Sequence, residues 1–105
     1  MSLKGSLQLL ILNALANGAG YGYQIAKEIK ERSEGVLDFQ EGSLYPTLHK
    51  LAKEGLIEAY TSTVDGRERR YYRLTEKGAK ELARERREWF AFVHAVNTVL
   101  GETAS

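Results

Sequence analysis

The sequence predicts a mainly α-helical chain with a two-stranded β-wing: a winged helix-turn-helix followed by one long C-terminal helix. Three observations carry that reading. Leu44, Leu48 and Leu51 recur at i, i+4 and i+7, the spacing of one helical face, and Gly55 closes the run. Ile57 to Val64 and Arg69 to Leu74 read as strands on either side of Asp65-Gly66, a strong hairpin-turn signal that is followed by Arg67, Arg69 and Arg70. From Glu76 to Leu100, apolar residues return at alternating three- and four-residue steps. At 1.5 Å rise per residue such a helix is roughly 37 Å long, more than a domain of this size needs for its own closure.

Taken in order, Leu3 to Ala16 is the first helix. Leu3, Leu7, Leu10, Ile11, Ala14 and Leu15 form a broad face, and Leu9 and Leu12 widen it beyond a surface stripe. Gly18-Ala19-Gly20 is a turn, and Tyr21-Gly22-Tyr23 leads into a second helix reaching Ser33. Its apolar side is Ile25, Ala26 and Ile29, and Gly35 ends it. Val36 to Phe39 is a short extended or partly helical connection. Ser43 is the expected cap of the third helix, which places Pro46 at the third position, where its missing N–H has no intrahelical partner. Strand alternation sends Tyr71 and Tyr72 to opposite faces, so at most one of them joins the core. Thr75 caps the last helix. The expected core is Leu7, Leu10, Ile11, Leu15, Ile25, Ile29, Leu44, Leu48, Leu51, Leu56, Ile57 and Leu74. Residues 1–75 then form the winged helix-turn-helix and 76–105 a dimerisation helix with a short tail.

Composition narrows the function by exclusion. With 15 basic and 14 acidic residues the net charge is +1, so positive charge has to be judged by position and not by total. The chain has no cysteine, which removes disulfides, thiolate chemistry and cysteine-based zinc sites, and His49 and His94 lack metal-ligand spacing. No cofactor is implied. Nucleophile motifs and phosphate-cradling glycine loops are absent, so an enzyme is not expected. No apolar run is long enough for a membrane span and no signal-peptide pattern is present, which points to a cytoplasmic protein with no membrane partner.

Candidate functional residues fall into three groups. On the third helix, Ser43, Tyr45, Thr47, Lys50 and Lys53 can meet phosphates and base edges, against the plainer reading of a capped helix with solvated lysines. On the wing, Arg67 at the turn and Arg69 are the better phosphate contacts, since alternation separates Arg69 and Arg73 from Arg70; the plainer reading is a solvated hairpin compensated by Glu68. On the last helix, Ala79, Leu82, Arg86, Trp89, Val93, Val96 and Leu100 follow a coiled-coil seam, broadened by Phe90, Phe92 and Val99. Trp89 is either a dimer-core residue or, paired across a two-fold axis, a platform for a flat apolar effector, with Phe92 and Val93 beside it. The charged stretch Lys77 to Glu88, with Lys77 and Glu81 one turn apart, is a solvated face.

The stretches LQLLILNALANGAGYGYQIAKEI, EGSLYPTLHKLAKEGLIEAY and DGRERRYYRLTEKG, with the lone tryptophan following, resemble the PadR family of bacterial transcriptional regulators over almost the whole chain. The short stretch after Leu74 is similar to the class with one terminal helix. The resemblance implies a dimeric repressor of double-stranded operator DNA that a small molecule can release. It supports Tyr21 and Tyr23 at the start of the second helix, Ser43, Tyr45, Pro46 and Lys50 on the recognition helix, and Gly66-Arg67 in the wing. It also implies an aromatic or multidrug-like effector at Trp89. The competing reading is a winged-helix ligand-binding or protein-interaction module without specific DNA recognition.

Overall fold

A computed structural model describes residues 3–18 and 20–101 of the chain. The Leu3 side chain, Ala19 of the expected turn and the 102–105 tail lie outside the described residues. The elements are α1 (Leu3–Ala16), α2 (Gly22–Arg32), α3 (Glu41–Lys53), β1 (Ile57–Val64), β2 (Arg67–Leu74) and α4 (Glu76–Leu100). Among the described residues, four helices and one antiparallel two-stranded sheet give the expected winged architecture.

The core is built around α1. Ile11 and Leu12 are fully buried, and Leu7, Leu9, Ala14 and Leu15 nearly so, because α1 is apolar on almost every side. Against it pack Ile25 and Ile29 of α2, Leu44, Leu48 and Leu51 of α3, and Ile57 and Tyr72 of the sheet. Each such aliphatic side chain contributes about 1.5–3 kcal/mol on burial, so α1 supplies much of the stability. Leu10 and Leu74 are only half-buried at the core's edge, which corrects the expected list. Leu82, expected on a partner-facing seam, is 8% exposed and belongs to its own chain's core. Of the two tyrosines, Tyr72 points inward and Tyr71 outward, as alternation requires.

The start of α3 differs from expectation. Gln40, in an extended conformation, precedes the helix, Glu41 is its first residue, and Ser43 lies inside the first turn, donating its hydroxyl to the Gln40 carbonyl at 2.7 Å. Pro46 is therefore the sixth helical residue, and the carbonyl left without an amide partner is that of exposed Gly42, which water can reach. Glu41 in the first turn is favoured by the helix dipole, which helps fix this earlier start. At the end of α2, Glu34 takes the first left-handed conformation (φ 55°), with Gly35 following at 85° and donating to the Lys30 carbonyl at 2.8 Å. Gly55 plays the expected role after α3, at φ 78°.

Asp65 and Gly66 both have positive φ (54° and 74°), a two-residue turn whose twist matches the strands. Val64 pairs directly with Arg67, so β2 begins at Arg67 and that residue is in the strand, not in the turn. The Thr75 hydroxyl accepts from Gly78 N–H at 3.0 Å and starts α4 as expected. Lys77 does not ion-pair with Glu81; its ammonium donates to the Glu54 carbonyl at 2.8 Å, satisfying the C-terminal end of α3. Among the described residues, no helix is long and apolar enough to cross a membrane.

Candidate nucleic-acid interface

The segment Gly20-Tyr21-Gly22-Tyr23 bridges α3 and β2. Tyr72 N–H donates to the Gly20 carbonyl at 2.6 Å, which ties the residues just before α2 to β2. A methyl group on Gly20 would lie 2.8 Å from Tyr71 Cδ1, and one on Gly22 would lie 3.2 Å from the Tyr45 hydroxyl and from Glu41 Cγ. The glycines thus allow contact on both sides, with β2 and with α3. Gln24 Oε1 accepts from the Gly20 and Tyr21 amides at 3.0 and 3.1 Å, which fixes the start of α2.

The intervening tyrosines meet the wing. The Arg69 guanidinium lies 4.7 Å from the centre of the Tyr21 ring, and Tyr21 in turn packs edge-on against Tyr71 at 5.3 Å. Tyr23 lies next to Tyr21 at 6.4 Å and is 53% exposed. Arg73 is on the same strand face but is engaged elsewhere, 4.4 Å from the Tyr60 ring and 3.5 Å from Glu58. Arg70, on the opposite face, leans toward Tyr72 at 5.9 Å. Arg67 stays exposed at the tip.

On α3, Ser43, Thr47 and Lys50 fall at i, i+4 and i+7, and exposed Pro46 continues that stripe opposite the buried leucines. Tyr45 is half-buried on the flank and donates to Glu41 Oε1 at 3.1 Å. Burial, and then the Glu41 carboxylate, raise its phenol above the ordinary tyrosine value. It is therefore a neutral hydroxyl that braces the first turn, with His49 beside it at 6.3 Å between ring centres.

The terminal helix divides into two halves. Its first half packs on α1: Gln8 Nε2 donates to Glu85 Oε2 at 2.6 Å, and Arg86 Nη1 donates to Asn13 Oδ1 at 2.9 Å. Trp89 is half-buried against the core, with Phe92 at 6.2 Å. An open groove of about 370 Å³, lined by Leu9, Leu10, Asn13, Leu37, Arg86 and Trp89, runs between α1 and α4. Phe90, 58% exposed, borders the groove, and beyond it the helix is bare: Phe92 is 43%, Val96 39% and Leu100 70% exposed, while Val93 is half-buried.

The pattern of the transcriptional regulator PadR-like family matches residues 11–84. The chain is 36% identical to the transcriptional regulator Rv3488 of Mycobacterium tuberculosis over 84 residues, covering 80% of this chain and 76% of that protein. The chain belongs to the PadR-like family. A PadR family transcription regulator from Clostridium difficile R20291 shares its fold with a TM-score of 0.79 at 35% identity, covering 91% of this chain and 99% of that one. The negative transcriptional regulator PadR of Bacillus subtilis is 35% identical over 78 residues, which are 72% of this chain and 42% of that protein. PadR-like proteins are DNA-binding transcriptional regulators and not enzymes.

In this PadR-like chain the structure brings Tyr21, Tyr23 and Arg69 into one cluster and places Ser43, Pro46, Thr47 and Lys50 on one stripe. Arg86, Trp89, Phe92, Val93 and Val96 follow one another along α4, and Leu82 is withdrawn from that surface. Sequence reasoning missed Gln8, Glu41 and Glu85. Glu41 could have been found as an acidic residue four positions before Tyr45. Gln8 and Glu85 are 77 residues apart and leave no local signal.

Proposed function

We propose that this PadR-like regulator is a cytoplasmic homodimeric repressor that binds a palindromic or nearly palindromic operator and is released by a small molecule. Residues 1–75 read DNA, and residues 76–105 pair the two readers. The observation that supports the DNA interface most directly is the Gly20–Tyr23 segment, which packs on α3 through Gly22 and on β2 through Gly20 while Tyr21 stacks on Arg69. In this reading Ser43, Tyr45, Pro46, Thr47 and Lys50 meet the major groove, and Tyr21, Tyr23, Arg67 and Arg69 meet the flanking phosphates.

Dimerisation is supported by the bare apolar second half of α4, where Phe92, Val93 and Val96 would be covered by a second copy. Two recognition helices would then enter major-groove faces about one turn, roughly 34 Å, apart. Repression, the sense in which the Bacillus subtilis relative is a negative transcriptional regulator, would follow from excluding polymerase or blocking its progress. The groove beside Trp89 and Arg86 is apolar with few polar groups, the chemistry that takes a flat aromatic or multidrug-like effector, and its occupant would shift α4 against α1.

Selection of bound fragments from genomic DNA, followed by a salt series on the enriched duplex, tests the proposal. The expected result is one or a few related palindromic sites whose affinity falls steeply with salt. Equal weak affinity for every fragment would favour a winged-helix interaction module instead. Titration of aromatic compounds, read by Trp89 fluorescence and by duplex affinity together, tests the effector. Binding without any change in DNA affinity would remove the coupling.

A further inference from the structure

Three helices meet in a chain of hydrogen bonds that links the recognition helix to the terminal helix. Lys50 on α3 donates from its ammonium to Gln8 Oε1 on α1 at 3.2 Å, and Gln8 Nε2 donates to Glu85 Oε2 on α4 at 2.6 Å. The chemistry fixes the direction of the chain. An ammonium only donates and an ionised carboxylate only accepts, so one orientation of the Gln8 amide satisfies both. Lys50 also forms an ion pair with Glu54 at 3.7 Å, beyond hydrogen-bond reach, so the ammonium keeps protons to offer a phosphate besides the one it gives to Gln8.

Glu85 is 8% exposed. The groups around it are Glu81 and Arg84 on its own helix, Gln8 on α1 and, beyond Gln8, Lys50 on α3. Arg84 grips Glu81 and Glu88, so Glu81 stays ionised and Glu85 is the member of the acidic pair that takes up a proton.

Resting on the DNA-binding reading above, we infer that Gln8 is a positioning residue that carries the charge state of Glu85 to Lys50 and sets how firmly that lysine is held for a DNA phosphate. With Glu85 ionised, the bond from Gln8 is charge-assisted and the amide oxygen is polarised toward Lys50. With Glu85 protonated, its proton is shared toward Glu81 and the pull on Gln8 weakens. A shift of α4 away from α1 has the same effect, because it separates Glu85 from Gln8. Lys50 is thereby the point on the recognition helix where the state of the terminal helix is felt.

The test is a set of cycles on the duplex enriched in the selection, at pH 7.5 and fixed salt, with Gln8→Met, Glu85→Gln and Lys50→Met alone and combined. Methionine keeps the bulk of glutamine, and urea unfolding of each variant verifies that it is folded. Gln8→Met and Glu85→Gln are each expected to weaken binding by about threefold to tenfold when Lys50 is present and to add nothing in the Lys50→Met background. General electrostatics gives the opposite sign for Glu85→Gln, since losing a negative charge favours DNA. Affinity of the unmodified protein relative to Glu85→Gln is expected to fall as pH drops through about 6. Equal losses with and without Lys50, or unchanged or tighter binding in Gln8→Met, would overturn the relay while leaving DNA recognition intact. Unchanged binding in Lys50→Met would overturn both the relay and the placing of Lys50 at the DNA.

Discussion

Tyr21 shows how one side chain serves both the fold and the proposed site, since its ring supports the Arg69 guanidinium at 4.7 Å while its edge meets Tyr71. The hydroxyl is not what Arg69 uses. Tyr21→Phe is therefore expected to lose only the hydroxyl's own phosphate contact and lower duplex affinity about twofold, whereas Tyr21→Leu, which also removes the support of Arg69, should lower it about fivefold at moderate salt, as measured by fluorescence anisotropy. Tyr72 makes a second residue-scale case, because it is 2% exposed and its hydroxyl has no hydrogen-bond partner among the described residues. Removing a buried hydroxyl of that kind relieves a desolvation cost, so Tyr72→Phe should leave stability unchanged or raise it by about 1 kcal/mol in urea unfolding. Glu85 has a pH signature of its own. Burial, then its hydrogen-bonded neighbour Glu81, raise its carboxyl to about 6 from 4.5, so the native state holds more protons than the unfolded chain between those values. Stability through this group rises as pH falls from about 6 toward 4.5. Glu81, held at about 2 by the Arg84 hydrogen bond, acts in the opposite sense, and its contribution is lost as pH falls from 4.5 toward 2. Glu85→Gln should accordingly stabilise the protein by about 1–2 kcal/mol at pH 7.5 and by much less near pH 4.5.

Among the elements, α4 is seated by a close approach that only glycine permits. A methyl group on Gly78 would lie 1.9 Å from the Leu56 carbonyl oxygen, which is backbone and cannot swing aside. In an exposed helix Gly→Ala stabilises, but here Gly78→Ala is expected to cost about 3 kcal/mol, read from the urea midpoint, by pushing α4 off the hairpin. The ends of α4 were legible because Thr75 has a capping side chain and uses it. The start of α3 was not, because Gln40 makes no capping hydrogen bond with its side chain while Ser43, a better capper by type, lies inside the helix. Local residue preference lost there to the path of the chain between α2 and α3. The wing was legible from Asp65-Gly66, although the direct pairing of Val64 with Arg67 brought one of its arginines into the strand. The stripe of Ser43, Pro46, Thr47 and Lys50 opposite the buried leucines of α3 was legible from helical spacing alone. What brings the candidate residues together was not, since the Gly20 and Gly22 contacts and the Gln8 hydrogen bonds all join residues distant in sequence.

For the whole molecule, shape and surface argue together. The longest axis is 54 Å against 29 and 21 Å for the others, and the 25-residue α4 leaves its apolar second half uncovered by its own chain. A second copy covering that half would bring two recognition helices into fixed relation, which turns a weak reader of one half-site into a specific reader of two. Val96→Glu should therefore shift the protein to monomer in sedimentation equilibrium and reduce duplex affinity by at least tenfold without unfolding α1 to β2. The most direct measurement of the central claim is affinity for the selected duplex after about half a helical turn, and then about a full turn, of DNA is inserted between its half-sites. Paired readers at fixed separation predict that the half-turn insertion abolishes specific binding by placing the half-sites on opposite faces. The full-turn insertion restores their facing but lengthens the span, so it should recover part of the affinity at most. Undiminished affinity for both altered duplexes would contradict recognition by a rigidly paired dimer.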